Sequence, residues 1–350
     1  MALSQTPCGI CNHAHHREIL WDRLPETSSV TVQNPLVTFV LFSFNQERYV
    51  REAVQGALAQ TYTPLQIILS DDASTDNTFK IIEDLLREYR GPHAVLLNRN
   101  QSRRGIGGHV NRIMELAAGD IIVAAAADDI SDADRVEAIV CAFHAAPDKV
   151  FSVWSAARFI DETGQLLQRR FPRPRRNFTD RSIVRNVSPV IGATHAWRRE
   201  VFDVFGPLLP QVVFEDNAIS FRSHLLGRIA FLDKKLVSYR THDQNITNFK
   251  SVADLRKLYM EAARRVTWAL IGIEQRKEDL DRAIRSERAV RRNFQLLRRE
   301  LQRMQRKFEQ RLKIYQRFPS MQLIDMWAGC KDVEIAKVLA RAMLYRHAKL

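Results

Sequence analysis

Residues 65–76 have the sequence LQIILSDDASTD. The first five residues form a short apolar run rich in β-branched side chains, which is typical of a buried strand in a parallel sheet. Two adjacent carboxylates, Asp71 and Asp72, follow at once, and Thr75 or Asp76 can cap a helix that begins shortly after them. The stretch therefore predicts a buried strand, an acidic turn and a helix in succession.

Similar strand and helix patterns lie on both sides of this stretch. The predicted strands are residues 36–42, 65–69, 120–127 and 150–154, and amphipathic helices are predicted between them. Repeated units of this length predict an α/β fold, with a mostly parallel sheet flanked by helices. Ligands bind outside the carboxyl ends of the strands in such sheets. Asp71-Asp72 and a second acidic pair, Asp128-Asp129, both fall there.

Composition restricts the class of protein. The chain has 350 residues, of which 45% are hydrophobic and 27% charged, as expected of a globular protein with a sizeable core. No apolar run approaches the roughly 18 to 20 residues that cross a bilayer, and no secretory signal pattern is visible. Four scattered cysteines are too few for a disulfide framework. These features predict a cytoplasmic protein.

Three regions are predicted from these patterns. Residues 1–34 form a polar extension in which Cys8, Cys11, His13, His15 and His16 either bind zinc or belong to a flexible tail. Residues 35–250 contain the α/β pattern. Residues 251–350 hold 24 of the 53 Lys and Arg residues but 12 of the 40 Asp and Glu residues, and they predict helices alone.

The motifs of residues 36–250 resemble those of the family 2 glycosyltransferases, which include bacterial enzymes of cell-surface polysaccharide synthesis. Ser43-Phe44-Asn45 follows the first strand, Gln60-Thr61-Tyr62 follows the first helix, and Asp71 to Asp76 match the family's Asp-Asp-Gly/Ala-Ser-Thr-Asp element. The resemblance implies the GT-A fold, which is Rossmann-like, followed here by a C-terminal helical region. It also implies an inverting hexosyltransferase that uses a UDP-, GDP- or dTDP-sugar.

The resemblance assigns the nucleotide site to residues near the first two strands. Phe44 is expected to lie against the base, with Ser43 and Asp72 hydrogen-bonding base and ribose, and Glu47 close by. An aromatic face beside a carboxylate acceptor suits a nucleoside. Arg104, in the Arg103 to Gly108 stretch, is expected near a phosphate.

A divalent metal is the second element that the resemblance implies. Asp128 and Asp129 occupy the place of the family's Asp-x-Asp, although Ala126 stands where the first Asp is commonest. One or both carboxylates would hold Mg²⁺ or Mn²⁺ against the donor diphosphate. Tyr239-Arg240-Thr241-His242 resembles a later family element, in which His242 or Arg240 touches the metal or diphosphate.

The third acidic site, Glu215-Asp216, resembles the element that carries the family's catalytic base. Asp216 would take the proton from an acceptor hydroxyl while that hydroxyl attacks the anomeric carbon, and Glu215 would contact the acceptor. The acceptor is expected to be a glycan or a lipid-linked sugar. A single displacement of this kind inverts the anomeric configuration.

Two basic segments leave the partners open. Arg169 to Arg176 form a proline-containing loop that either holds an anionic acceptor or lies in solvent. Residues 280–313 carry 12 basic and 4 acidic side chains beside an apolar coiled-coil seam, Val290, Phe294, Leu297, Leu301, Met304 and Phe308. That helix suits peripheral attachment to an anionic membrane at its inner face, homo-oligomerisation or, least favoured, RNA binding. A scaffold protein that has lost catalysis is the remaining alternative.

Overall fold

The computed structural model describes residues 34–145, 149–171, 178–185, 190–243 and 255–316, with backbone alone for 255–258. The Cys/His-rich extension and Arg173 to Arg176 lie outside the described residues. The strands are β1 Val37–Ser43, β2 Leu65–Asp71, β3 Ala94–Arg99, β4 Ile121–Ala126, β5 Ile130–Ser131, β6 Val150–Ile160, β7 His195–Arg198 and β8 Arg228–Arg240. The helices are α1 Val50–Leu58, α2 Thr78–Glu88, α3 Gly105–Leu116, α4 Arg135–Ala145, α5 Asp180–Val184, α6 Glu200–Phe205, α7 Glu215–Leu226, α8 Leu255–Arg285 and α9 Phe294–Gln316, with a 3₁₀ turn at Gly192–Thr194.

Within the described ranges these strands form one sheet in the order β3-β2-β1-β4-β7-β6-β8-β5. The first four are parallel, and Ser43 lies opposite Asp71 while Phe42 lies opposite Ala126. The predicted α/β fold with a C-terminal helical region is confirmed. The acidic turns after β2 and β4 consequently meet at one edge, which we call the carboxyl edge.

The other half of the sheet is mixed rather than parallel. β7 runs antiparallel to both β4 and β6, and β8 runs parallel to β6. None of β5, β7 and β8 is among the predicted strands, and a run of buried residues carries no information on strand direction in any case. β3 was also missed, because it is an edge strand whose residues are only partly buried.

Helices cover both faces of the sheet. On one face α1, α2 and α4 pack through residues such as Val54, Ile82 and Ile139. On the other face α3, α6 and α7 pack with residues of α8 and α9 in one continuous core. β1 and β4 are buried along almost their whole length because both of their faces are covered.

The helices α8 and α9 pack against each other and against this second face. Leu297 and Leu301, two residues of the predicted seam, are fully buried in the core that also contains Phe205 and Phe221. Val290 lies before α9, where its backbone N–H donates to the carbonyl of Leu225. Leu297 and Leu301 of the seam therefore pack against other residues of the same chain. A coiled coil stays a prediction. No helix of the described ranges is long and apolar enough to cross a membrane.

A buried ion pair joins α7 to α8. The Arg222 guanidinium donates to Asp279 Oδ1 at 3.0 Å, and both side chains have no solvent-exposed surface. Arg222 also donates to the carbonyl oxygens of Gly206 and Pro207. Because an unpaired charge is costly inside a protein, each partner needs the other.

Replacement of Asp279 tests this link. We expect Asp279→Ala to lower the free energy of unfolding by about 3–5 kcal/mol, because Arg222 would be left buried without its counter-ion. Urea denaturation of the full chain measures it. The matched control is Asp281→Ala, which removes a half-exposed pair with Arg298 and should cost less than about 1 kcal/mol. Equal effects of the two substitutions would show that the buried pair has no special weight.

Candidate active site

The turns after β1 and β2 are fastened to each other. Asn45 has a left-handed backbone with φ of 52°, its N–H donates to Ser74 Oγ, and its side-chain oxygen accepts from the N–H of Thr75. Ser43 Oγ donates to the carbonyl of Ser70 at 3.0 Å. The DDASTD turn thus forms one rigid unit with the Ser-Phe-Asn element.

The two carboxylates of this turn have different surroundings. Asp71 is fully buried and accepts from the N–H and the hydroxyl of Ser74, at 2.9 and 2.5 Å, so it shapes the turn. Asp72 accepts from the backbone N–H groups of Arg104 and Gly105, at 2.8 and 3.0 Å. Asp72 therefore anchors the N-terminus of α3, where a negative charge is favoured.

A buried polar network connects Asp72 with His109. Asn100 Nδ2 donates to Asp72 Oδ1 at 2.8 Å, and Asn98 Nδ2 donates both to Asn100 Oδ1 and to Ser70 Oγ. Ser70 Oγ lies 2.6 Å from His109 Nε2. Burial lowers the pKa of His109 to about 4, despite the nearby aspartates, so the ring is neutral at physiological pH. Sequence motifs missed this network because its members have no characteristic spacing.

The other predicted nucleotide residues divide into two groups. Phe44 is partly buried, and the Arg103 guanidinium lies over its ring at 4.0 Å. The Arg104 side chain is exposed. Glu47 instead accepts from the backbone and side-chain N–H groups of Asn77, at 3.0 and 2.9 Å. The structure thus uses the Glu47 carboxylate to hold the start of α2.

The acidic pair after β4 meets the end of β8. Asp128 Oδ2 lies 3.0 Å from His242 Nε2, and both side chains are largely buried. Asp129 Oδ1 accepts from the backbone N–H of Arg240 at 2.7 Å. Burial, together with the charge of Asp128, raises the pKa of Asp129 well above its ordinary value. Asp128 is thus in contact with His242, whereas Asp129 joins this loop to the end of β8.

Glu215 and Asp216 begin α7 and face the 3₁₀ turn. A Cβ on Gly192 would lie 2.3 Å from Glu215 Oε1, so a larger residue in this turn would displace the Glu215 carboxylate. Burial, with the charge of Asp216 second, raises the pKa of Glu215 to about 8. Burial also raises the pKa of Asp216 to about 6, against hydrogen bonds from the backbone of Asn217 and Gly192. At pH 7 the pair therefore holds about one proton.

Arg135 links this turn to the end of β4. Its guanidinium is fully buried and donates to the carbonyl oxygens of Ala124 and Ala193, at 2.6 and 2.8 Å, and to Ser131 Oγ. Burial lowers its pKa to about 10, so it keeps its positive charge at neutral pH. Arg135 thus joins β4, β5 and the 3₁₀ turn that faces Glu215 and Asp216. An arginine at a helix start gave no sequence signal of this role.

Comparison with known proteins identifies the fold. The chain aligns with a mannosyltransferase from Pyrobaculum calidifontis in complex with GDP-Man and Mn²⁺ at a TM-score of 0.50 and 16% identity, over 91% of this chain and 89% of that chain. It aligns with GalNAc-T7, solved with UDP, GalNAc and Mn²⁺, at a TM-score of 0.51 and 17% identity, over 71% and 54%. At such identities the similarity shows the fold alone, and that fold is GT-A.

Sequence comparison shows which proteins the chain is similar to. Residues 38–206 match the model of Glycosyl transferase family 2. An uncharacterized glycosyltransferase of Nostoc sp. is 26% identical over 218 residues, which cover 60% of this chain and 66% of that protein. The chondroitin synthase of Escherichia coli is 31% identical over 141 residues, which cover 40% of this chain and 20% of that protein. The chain therefore spans less than two thirds of the length of these relatives, and residues 38–206, just under half of the chain, are similar to Glycosyl transferase family 2.

The Glu215-Asp216 pair provides a direct test of the site electrostatics. We expect Asp216 to titrate near pH 6 and Glu215 near pH 8. In Asp216→Asn the pKa of Glu215 should fall, because a neighbouring negative charge is removed. Carboxyl ¹³C NMR measures both. Asp161 is the internal control, since hydrogen bonds from Thr163 and Gln165 lower its pKa and keep it ionised. Titration of both members of the pair below about pH 5 would contradict this assignment.

Proposed function

We propose that this chain transfers a sugar from a nucleotide-sugar donor to an acceptor hydroxyl, with inversion. The observation that carries the proposal is Asp216, a carboxylate next to the 3₁₀ turn and shortly after the matched residues 38–206, whose pKa is raised to about 6. It is ionised at neutral pH, yet it binds a proton more strongly than an ordinary aspartate. That combination suits a general base.

The donor nucleotide would occupy the edge beside Phe44 and the DDASTD turn. The base would stack on the ring of Phe44, where the Arg103 guanidinium now lies at 4.0 Å. Ser43 and Asp72 would contact base and ribose, and the exposed Arg104 would meet a phosphate. Both solved structures named above contain nucleotides, UDP in one and a GDP-sugar in the other, which supports such a donor without selecting its base.

A divalent metal fits the chemistry of Asp128 and His242. Their carboxylate oxygen and imidazole nitrogen are 3.0 Å apart, at hydrogen-bonding distance from each other, and both are groups that bind divalent metals. Within the described ranges no group of three or more His, Cys, Asp or Glu side chains forms a complete metal centre, so the donor diphosphate would supply further oxygen ligands. When bound, Mg²⁺ or Mn²⁺ would neutralise charge on the departing diphosphate. An imidazole ligand favours Mn²⁺ of the two.

The chain's own residues would carry out the proton transfer. Asp216 accepts the acceptor's hydroxyl proton as that oxygen forms a bond to the anomeric carbon. The bond from this carbon to the diphosphate oxygen breaks on the opposite face, and the nucleoside diphosphate leaves with the electron pair. Glu215, protonated at neutral pH because of its pKa near 8, donates a hydrogen bond to the acceptor.

The remaining assignments belong to the same proposal. We place the catalytic domain at residues 35–250 and the basic helical region at 251–350, with a glycan or lipid-linked sugar as acceptor. The proposal also includes peripheral attachment at the inner face of a membrane and self-association through the C-terminal helices. The exposed basic side chains of α9, such as Arg299, Arg303 and Arg306, support an anionic partner.

Substitution of the base tests catalysis. We expect Asp216→Asn to keep the donor affinity and to lower the transfer rate by about a hundredfold or more, because the amide accepts no proton. A panel of sugar nucleotides, assayed for release of nucleoside diphosphate, first identifies the donor. Asp203→Asn on the exposed face of α6 is the matched control and should leave the rate unchanged. Full activity of Asp216→Asn would require a different base.

Calorimetry with UDP, GDP and dTDP, each with and without Mn²⁺, tests the metal. We expect Mn²⁺ to tighten nucleotide binding at least tenfold, and Asp128→Asn to remove this gain, because a ligand oxygen loses its charge. The control is Asp134→Asn, whose exposed carboxylate pairs with Lys234. Equal nucleotide affinity with and without Mn²⁺ would contradict a metal-assisted reaction. Binding without any transfer would favour the scaffold alternative.

A further inference from the structure

The loop after β6 exposes apolar side chains in an unusual place. Residues 161–170, which we call the β6 loop, contain Leu166 and Leu167 with 69% and 38% of their surfaces exposed. Leu166 is the most exposed large apolar side chain among the described residues. Adjacent exposed leucines indicate a contact surface rather than a solvated turn.

Hydrogen bonds hold this loop in one shape. The Asp161 carboxylate accepts from the N–H and hydroxyl of Thr163 and from the N–H of Gln165, at 2.8, 2.7 and 3.0 Å. Gly164 has φ of 88°, a left-handed conformation that favours glycine. The N–H of Leu167 donates to the carbonyl of Phe159 at 2.8 Å. The two leucines therefore lie in a turn that hydrogen bonds keep in a defined conformation.

Positive charge lies directly beside the leucines. Arg169 and Arg170 are exposed, and Arg169 rests over the ring of Phe159 at 4.5 Å. The acids of the loop are already engaged, since Asp161 closes the turn and Glu162 lies 3.8 Å from Arg48. Exposed leucines next to arginines match the boundary between acyl chains and anionic headgroups.

The β6 loop is also fastened to the candidate active site. Arg240 Nη1 donates to the carbonyl oxygens of Asp161 and Glu162, each at 3.3 Å. The same side chain donates through Nε to the carbonyl of Asp128 at 2.9 Å. A partner surface that binds the β6 loop would therefore lie close to the carboxyl edge.

We propose that the β6 loop docks the catalytic domain on an anionic lipid bilayer. Leu166 and Leu167 enter the interface, and Arg169 and Arg170 contact lipid phosphates. This orientation presents the carboxyl edge to acceptors held in the membrane. The acceptor class is then a lipid-linked sugar, an assignment that rests on the proposed function. The docking itself requires no catalysis.

Co-sedimentation of the full chain with vesicles tests the proposal. One set of vesicles contains phosphatidylcholine alone, and the other contains equal parts of phosphatidylcholine and phosphatidylglycerol. We expect binding to the anionic set, with at least a tenfold lower partition coefficient for Leu166→Ser/Leu167→Ser and a clear loss for Arg170→Gln. Met260→Ser removes an apolar side chain of α8 that is 64% exposed and should bind like the wild type. Circular dichroism and UDP or GDP affinity confirm that each variant is folded.

The outcomes separate this proposal from its competitors. Unchanged binding of the leucine variant, with loss in Arg299→Glu/Arg303→Glu, would move the membrane contact to α9 and overturn the proposal. Absence of vesicle binding, or a leucine variant that changes only the oligomeric state in sedimentation analysis, would also overturn it in favour of a protein partner. In each case transfer to a water-soluble acceptor remains measurable, so the proposed function stands or fails separately.

Discussion

The burial of one guanidinium, that of Arg240, organises the carboxyl edge. The side chain is 2% exposed, and removing its charge from water is tolerable because its donors are used. It donates to Glu52 of α1, to the carbonyl of Asp128 and to two carbonyls of the β6 loop. Its backbone N–H donates to Asp129. Four segments distant in sequence are thereby fixed around one cation, and the Asp128 and His242 pair is held among them.

The carboxylates of the carboxyl edge differ in their roles because their surroundings differ. Asp71 accepts hydrogen bonds within the turn that follows it, and Asp72 accepts hydrogen bonds at the N-terminus of α3. Asp129 is buried beside a second aspartate, which makes its proton hard to remove. Asp216 is desolvated but receives backbone hydrogen bonds, so its pKa rises only to about 6. Desolvation and hydrogen bonding act in opposite directions, and their balance leaves one carboxylate suited to accept a proton at neutral pH.

The basic charge of the C-terminal region has two uses. Arg276 donates to the carbonyl of Val184, Arg282 to that of Phe205, and Arg292 to those of His224 and Gly227. These arginines satisfy carbonyl oxygens where the C-terminal region packs on the second face of the sheet. Among the described residues, Arg299, Arg303 and Arg306 of α9 have exposed side chains, and the buried arginines add to the net charge without being accessible to a partner. The two helices belong to the core and not to a detached tail.

Periodicity and composition were sufficient to predict the β1, β2, β4 and β6 strands, the helices between them and the acidic turns. Burial on both faces of the sheet requires a continuous apolar run in each of these strands, and such a run is visible in the sequence. The motif from Asp71 to Asp76 likewise indicated the resemblance to family 2 glycosyltransferases, whereas the roles of Asp128, Asp129 and His242 at a metal stay predictions. The direction of β7, the network from His109 to Asp72 and the use of Glu47 to hold Asn77 were decided by the tertiary structure alone. Strand direction, carboxylate pKa and the partner of a buried arginine depend on groups brought together from distant parts of the chain, and no local pattern of residues records that proximity.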